Sequence, residues 1–401
     1  MSERKVQVLQ TESTAYKSFA ALDGLRGLSA LAVVYHHICQ LSRPHLPFIQ
    51  TGLSYLGAVA VFSFFALSSF LLTSKGIKDW KNTPQKAQNA TRFWGAYFIK
   101  RVARVYPLFL LVSVLMLVGQ EFVKMPQHLK MVWWEQIFLI YPKGVFWTIP
   151  VEVEYYFFLP LIVIGYVYLS THFSRKHALW LGSSALLLLM VLSTYLFPMD
   201  SFPLIYPHLP PYFAGFVAGS LAGIISHEVQ SSKVGVTPAL SRLGYGLVWG
   251  AGIALIMTAP PLMNQLLSWE IPSELGTEHK VHEQYWKATT LGNIPTYLSA
   301  ILVLGLTWVK RGLLYHLLSS SVMRYFGKIS FSVYLVHITF AFILRGVFGL
   351  EALKEDTTFF LYGLSVFAVT IFVAHFATHK FELPMNKLGI QKAKKLLQGM
   401  K

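Results

Sequence analysis

Arg26, His36 and His37 stand within one apolar stretch, Phe19 to Gln40, reading FAALDGLRGLSALAVVYHHICQ. A guanidinium fork is suited to holding anions, and an imidazole can take or give a proton near neutral pH. Arg26 and His37 are eleven residues apart, close to three whole turns at 3.6 residues per turn. On a helix both therefore point to one side, about 16 Å apart along its axis. His36 is rotated away by about 100°. The stretch is about the right length to cross a bilayer, and a helix is the only single-segment way to do so with every backbone group satisfied. An arginine near the middle of such a helix costs on the order of 2.5 to 3.5 kcal/mol, so it usually faces a cavity or a ligand. The plainer alternative is that Arg26 snorkels to the surface and His37 bonds a neighbouring helix.

Two carboxylates lie at membrane depth in VFWTIPVEVEYYFFLPLIVI: Glu152 and Glu154. Two residues apart, they point to nearly opposite sides of a helix, so they cannot both line one cavity. Glu152 falls in the outer part of its span and His37 in the outer half of the first, so the two are expected to be able to meet. Pro150 should loosen the first turn. Arg101 and Arg104, in KRVARVYPLF at the start of another span, share a face at i, i+3. Two such forks at a helix entrance suit phosphates, although positive flanks also arise from topology alone. In YFGKISFSVYLVHITF, Ser330, Tyr334 and His337 are expected in the inner half of a span. His279 and His282, in the acidic stretch Asn264 to Lys287, read as part of a solvated loop, since matched metal ligands are missing around them.

These groups need elements to hold them. The chain has 401 residues, 54% hydrophobic and 13% charged, with a mean hydropathy of +0.50, values that exclude an ordinary soluble domain. Ten apolar runs are each long enough to span: residues 20–41, 53–74, 97–119, 146–169, 178–197, 208–227, 244–263, 289–309, 325–348 and 358–379. The aromatic run Met131 to Tyr141 is too short and reads as a re-entrant or interfacial helix. With both termini inside, 25 of the 34 lysines and arginines fall in cytoplasmic segments and eight outside, Arg26 being within the first span, as the positive-inside rule requires. The expectation is an all-α polytopic membrane protein of about ten transmembrane helices. A polar cytoplasmic tail occupies residues 1–18, the transmembrane domain residues 19–386 and a basic cytoplasmic tail residues 387–401. The net charge of +16 is spread in short clusters between apolar runs, which suits topology and anionic lipid rather than nucleic acid. Cys39 is the only cysteine, so no disulfide can form within the chain.

Taken together, the stretches LDGLRGLSALAVVYHH, FFALSSFLLT (Phe64 to Thr73), RVYP (Arg104 to Pro107), WTIPVEVEYYFFLP (Trp147 to Pro160), GKISFSVYLVH (Gly327 to His337) and FELP (Phe381 to Pro384) resemble, in order, acyltransferase family 3. These are integral-membrane enzymes that acylate cell-surface glycans. Arg26 and His37 match the family's Arg-x10-His pair, and Glu152 takes the place of its glutamate. Ser69 stands where the family usually has glycine, and Pro150, Val153 and Glu154 depart from the usual residues around the glutamate. The resemblance implies transfer of an acyl group, acetyl most often, from cytoplasmic acyl-coenzyme A to a sugar hydroxyl near the outer side, without a metal. Arg26, Arg101 and Arg104 would hold the donor's phosphates. His37 would act as general base with Glu152 orienting it, or carry the acyl group itself, and Tyr156 and Ser68 would position the carbonyl. Tyr334 and His337 are further candidates. The implied partners are acyl-coenzyme A, a lipid-linked or surface glycan such as lipopolysaccharide or its O-antigen, and membrane lipid; the implied location is the bacterial inner membrane. A secondary transporter would also use intramembrane Arg, His and Glu, but no internal repeat supports one.

Overall fold

The computed structural model describes residues 20–42, 54–120, 131–198, 201–202, 206–258, 293–349 and 351–398. The expected tail over residues 1–18 and the loop carrying His279 and His282 lie outside them. Thirteen α-helices are present among the described residues: α1 Ala20–Ser42, α2 Ser54–Lys81, α3 Lys86–Gly119, α4 Trp133–Ile137, α5 Thr148–His172, α6 Arg175–Leu196, α7 Phe213–Gln230, α8 Pro238–Met257, α9 Ile294–Trp308, α10 Leu313–Ser319, α11 Ser321–Phe348, α12 Asp356–Phe376 and α13 Leu383–Gln398. No strand occurs among those residues. A helix stands at each of the ten apolar runs. Among the described residues, seven helices are long and apolar enough to cross a membrane, or eight if α9 and α10, bent by 92° at a short break, count as one span. The start signals are local. Ser174, Thr237 and Ser320 each accept a bond from a backbone N–H three residues on, which satisfies an orphan donor of the first turn.

α1 is not among the seven apolar helices, and its surroundings explain why. Its buried residues are spread around the helix, and it packs against α2, α11 and α10. A helix enclosed by other helices has little lipid to face and can carry polar groups. α2 reaches outward from α1 to α7, α9 and α5; α12 covers α11, and α6 covers α7.

The α1–α11 contact is set by glycines. A Cβ on Gly27 would press on Met323 O and Gly327 N, and one on Gly327 would overlap Asp23 O, while one on Gly24 would overlap the Leu318 carbonyl of α10. The two backbones touch, and because 27 meets 327 as 37 meets 337, the helices run parallel. Replacing Gly327 with valine is expected to lower the melting temperature in detergent markedly, since overpacking against backbone costs about 1–3 kcal/mol. Gly165→Ala, where a Cβ meets nothing within 4 Å, should leave it unchanged or higher. Equal melting of the two variants would refute the close approach.

At the second helix, Ser69 is accommodated by its neighbour. Its Oγ bonds back to Phe65 O at 2.9 Å, and a Cβ on Gly219 of α7 would fall on that oxygen. The glycine that permits this close approach lies on the partner helix. α12 continues through a π-helical turn, Ala377–Glu382, into α13; such turns re-aim side chains and often mark functional sites. The boundary expected before Lys387 falls inside α13, which packs on α3 with Gly389 against Ala103. Met131 to Tyr141 contains only the five-residue α4, with Trp133, Trp134, Phe138 and Ile140 exposed.

Candidate functional site

α1 is one unbroken helix from Ala20 to Ser42, so Arg26 and His37 do share a side of it. His36 turns toward α2, where a Cβ on Gly57 would overlap its Cβ. His37 is half-buried and faces α11. Its Nδ1 lies 3.0 Å from Val33 O and 3.2 Å from Nε2 of His337. His337 is fully buried, with its own Nδ1 against Tyr334 O at 2.7 Å and Val333 O at 3.2 Å. Sequence position alone put His337 in the inner half and His37 in the outer half. The structure brings them to one level, because α11 begins at Ser321 and runs in register with α1.

Glu152 is expected to be able to meet His37, and among the described residues no hydrogen bond or ion pair joins the two. Glu152 Oε1 instead accepts a 2.5 Å bond from Ser68 Oγ of α2. Arg101, Tyr97, Tyr156 and Tyr334 lie within electrostatic reach of the carboxylate. Glu154 points the other way, as two-residue spacing dictates. It accepts from Leu209 N at 2.8 Å and pairs with His208 Nδ1 at 2.7 Å, tying α5 to the segment before α7. Tyr334 is buried and its hydroxyl is engaged, donating to Val145 O at 2.5 Å and accepting from Thr148 Oγ1 at 3.0 Å. That clamps the 3₁₀ turn Gly144–Trp147, which leads into α5, onto α11. Tyr156 is buried one turn beyond Glu152.

Toward the start of α1, arginines from three helices gather. Arg26 Nη1 lies 3.5 Å from Asp23 Oδ1, and Arg104 of α3 and Arg324 of α11 also lie within reach of Asp23. The second carboxylate here is Glu382, in the π-helical turn. It is buried, accepts from Ser332 Oγ at 2.9 Å, and has Arg104 and Arg26 within electrostatic reach. Three half-buried guanidiniums thus lie around two carboxylates, one more cation than anion. Arg324 and Glu382 escape sequence reasoning because one resembles topology flanking and the other the end of a span. FELP, which holds Glu382, was the available signal. Arg101 continues the positive line toward Glu152. On its face of α3, at i, i+3 and i+7, Trp94 Nε1, Tyr97 OH and Arg101 Nε are buried without a hydrogen-bond partner among the described residues.

The arrangement joins a proton acceptor at one depth, a carboxylate held by a serine, and a cluster of cations at another depth. It suits binding an elongated polyanion whose reactive end lies near an imidazole. A family profile described as an acyltransferase domain matches residues 19–379, nearly the whole chain. No curated protein and no solved structure matches it.

Proposed function

Since the chain belongs to acyltransferase family 3, we propose that it moves an acyl group, acetyl by preference, from cytoplasmic acyl-coenzyme A to a hydroxyl of a lipid-linked or surface glycan. The reading sets ten crossings in the bacterial inner membrane with both chain ends in the cytoplasm, the orientation that puts most lysines and arginines inside. One observation carries it: positive charge from α1, α3 and α11 at the start of α1, and an oriented imidazole about three turns further along the same helix. The donor is a polyanion with a long thin arm, and that spacing suits its two ends. Arg26, Arg104 and Arg324 would hold phosphates, with Arg101 along the arm; the buried donors without partners on α3 are groups that a bound ligand would satisfy.

His37 acts on the acceptor hydroxyl as general base. Glu152 with Ser68 belongs beside the thioester, close to Arg101, where it orders the acceptor rather than His37. Glu152→Gln is expected to lower kcat by about 10²-fold. Glu154→Gln, which alters only the bond to the segment before α7, should keep near-normal kcat and lower the melting temperature. A reversal of the two would place the working carboxylate on the other face.

The test is direct. The protein in lipid nanodiscs is given acyl-coenzyme A labelled in the acyl group, together with glycans from cells lacking the gene. Label in the glycan by mass spectrometry, with matching release of free thiol, is expected. Absence of both overturns the proposal, and solute accumulation in proteoliposomes without thioester consumption would indicate a carrier.

A further inference from the structure

A buried histidine that only fills space needs no partner for both nitrogens, yet every ring nitrogen facing the α1–α11 contact has one. Carbonyl oxygens accept and do not donate. The 2.7 Å contact to Tyr334 O therefore requires the proton of His337 on Nδ1, which leaves Nε2 as a lone pair. The 3.0 Å contact between His37 Nδ1 and Val33 O, a carbonyl that already accepts the helix's own i+4 N–H, only biases the proton toward His37 Nδ1, and His337 Nε2, a lone pair 3.2 Å from that nitrogen, fixes it there. The opposite assignment would set a lone pair on His37 Nδ1 against a carbonyl oxygen. With its Nδ1 proton held from two sides, His37 has only Nε2 left as a base.

We propose that His337 is a positioning residue for the transfer reaction: it fixes the tautomer and ring plane of His37 so that Nε2 carries the lone pair toward the acceptor hydroxyl. This rests on the acyl-transfer reading for its catalytic consequence but not for its geometry. In the step itself the hydroxyl O–H bond breaks as its proton moves to His37 Nε2, and the oxygen bonds the thioester carbonyl carbon. The C–S bond then breaks, and the proton passes from Nε2 to the departing thiolate. Throughout, His37 Nδ1–H stays donated to His337 Nε2, which steadies the imidazolium as an orienting third group does in hydrolase triads. A neutral imidazole does this without burying a second charge beside the base. The parallel register set by Gly27 and Gly327 brings the two rings to 5.0 Å between centroids.

The full chain in nanodiscs, labelled with [15N]histidine, is examined by NMR, with the His37 signals identified by their loss in His37→Asn. The expected result is a protonated Nδ1 and an unprotonated Nε2 on His37 in the wild type. His337→Phe and His337→Leu, which remove the acceptor, should give mixed tautomers and lower kcat by about 10²-fold at an unchanged KM for acyl-coenzyme A. His337→Gln, whose amide oxygen can occupy the position of Nε2, should restore the tautomer and at least a tenth of kcat. His37 protonated on Nε2 in the wild type overturns the proposal, as does an unchanged tautomer in the variants or equal kcat for Gln, Phe and Leu. If only the phenylalanine variant fails to fold, the comparison of leucine with glutamine decides. A wild type that transfers no acyl group to any glycan would refute the enzymatic reading while leaving the tautomer result to be judged alone.

Discussion

His37→Ala is expected to lower acyl transfer by at least about 10³-fold while the protein keeps its melting temperature to within a few degrees. General-base removal alone accounts for about 10² to 10⁴. His37 has one ring nitrogen engaged with Val33 O and His337 and remains half-buried rather than sealed, so its other nitrogen is the group able to meet a substrate. No described neighbour replaces it. His337 is buried with its proton committed to backbone carbonyls, and His36 faces α2. Folding survives because the lost bonds are few. Val33 O keeps its place in the helix, and His337 Nε2 loses one partner, a cost of about 1–3 kcal/mol against a contact sealed by backbone packing at Gly27 and Gly327. Free thiol released from acyl-coenzyme A and acyl groups on the glycan give the two readouts, beside melting in detergent. Transfer within tenfold of wild type, from a folded variant, would remove His37 from the mechanism.

The helical period made part of this site legible in the sequence. Eleven residues fix the phase of Arg26 and His37 on any helix, and two fix the opposition of Glu152 and Glu154; the structure has both. The helices themselves follow from runs of apolar residues long enough to span, since only a helix satisfies the backbone in lipid. What pairs with what did not follow. Glu152 meets Ser68 and not His37, and His37 meets His337, because those contacts depend on how far α11 slides along α1. That register is set by Gly27 and Gly327, residues whose lack of a side chain gives no signal of which helix they touch. Arg324 and Glu382 were hidden for a different reason. A charge at the end of a span has an explanation in topology alone, so its role shows only when three helices bring such charges together. α1 offered the subtlest signal: its low hydropathy for a spanning helix is what a helix enclosed by protein can tolerate.

Arg26→Ala and Arg104→Ala are each expected to raise KM for acyl-coenzyme A by about 10- to 100-fold, with kcat at saturation within a few-fold of wild type. Each would lose a charge-assisted bond to phosphate, and such bonds contribute about 1.5–3 kcal/mol. The balance of charge makes the variants foldable. Three guanidiniums face Asp23 and Glu382, so removing one leaves two against two, whereas removing a carboxylate would enlarge the local excess of positive charge. The donor can be cut to match. A thioester of pantetheine keeps the reactive end and the arm but lacks the phosphates, so wild type and both variants should use it at the same, low kcat/KM. If the arginines were only structural, their loss would slow both donors alike. The difference between donors, taken across wild type and variant, isolates the phosphate contact because each change removes the same interaction from one side. Arg104→Lys should recover only part of the loss, since a point charge cannot make the paired bonds of a guanidinium fork. Equal penalties on the full and truncated donors would move the phosphate site away from the start of α1 and break the link between the two ends of that helix.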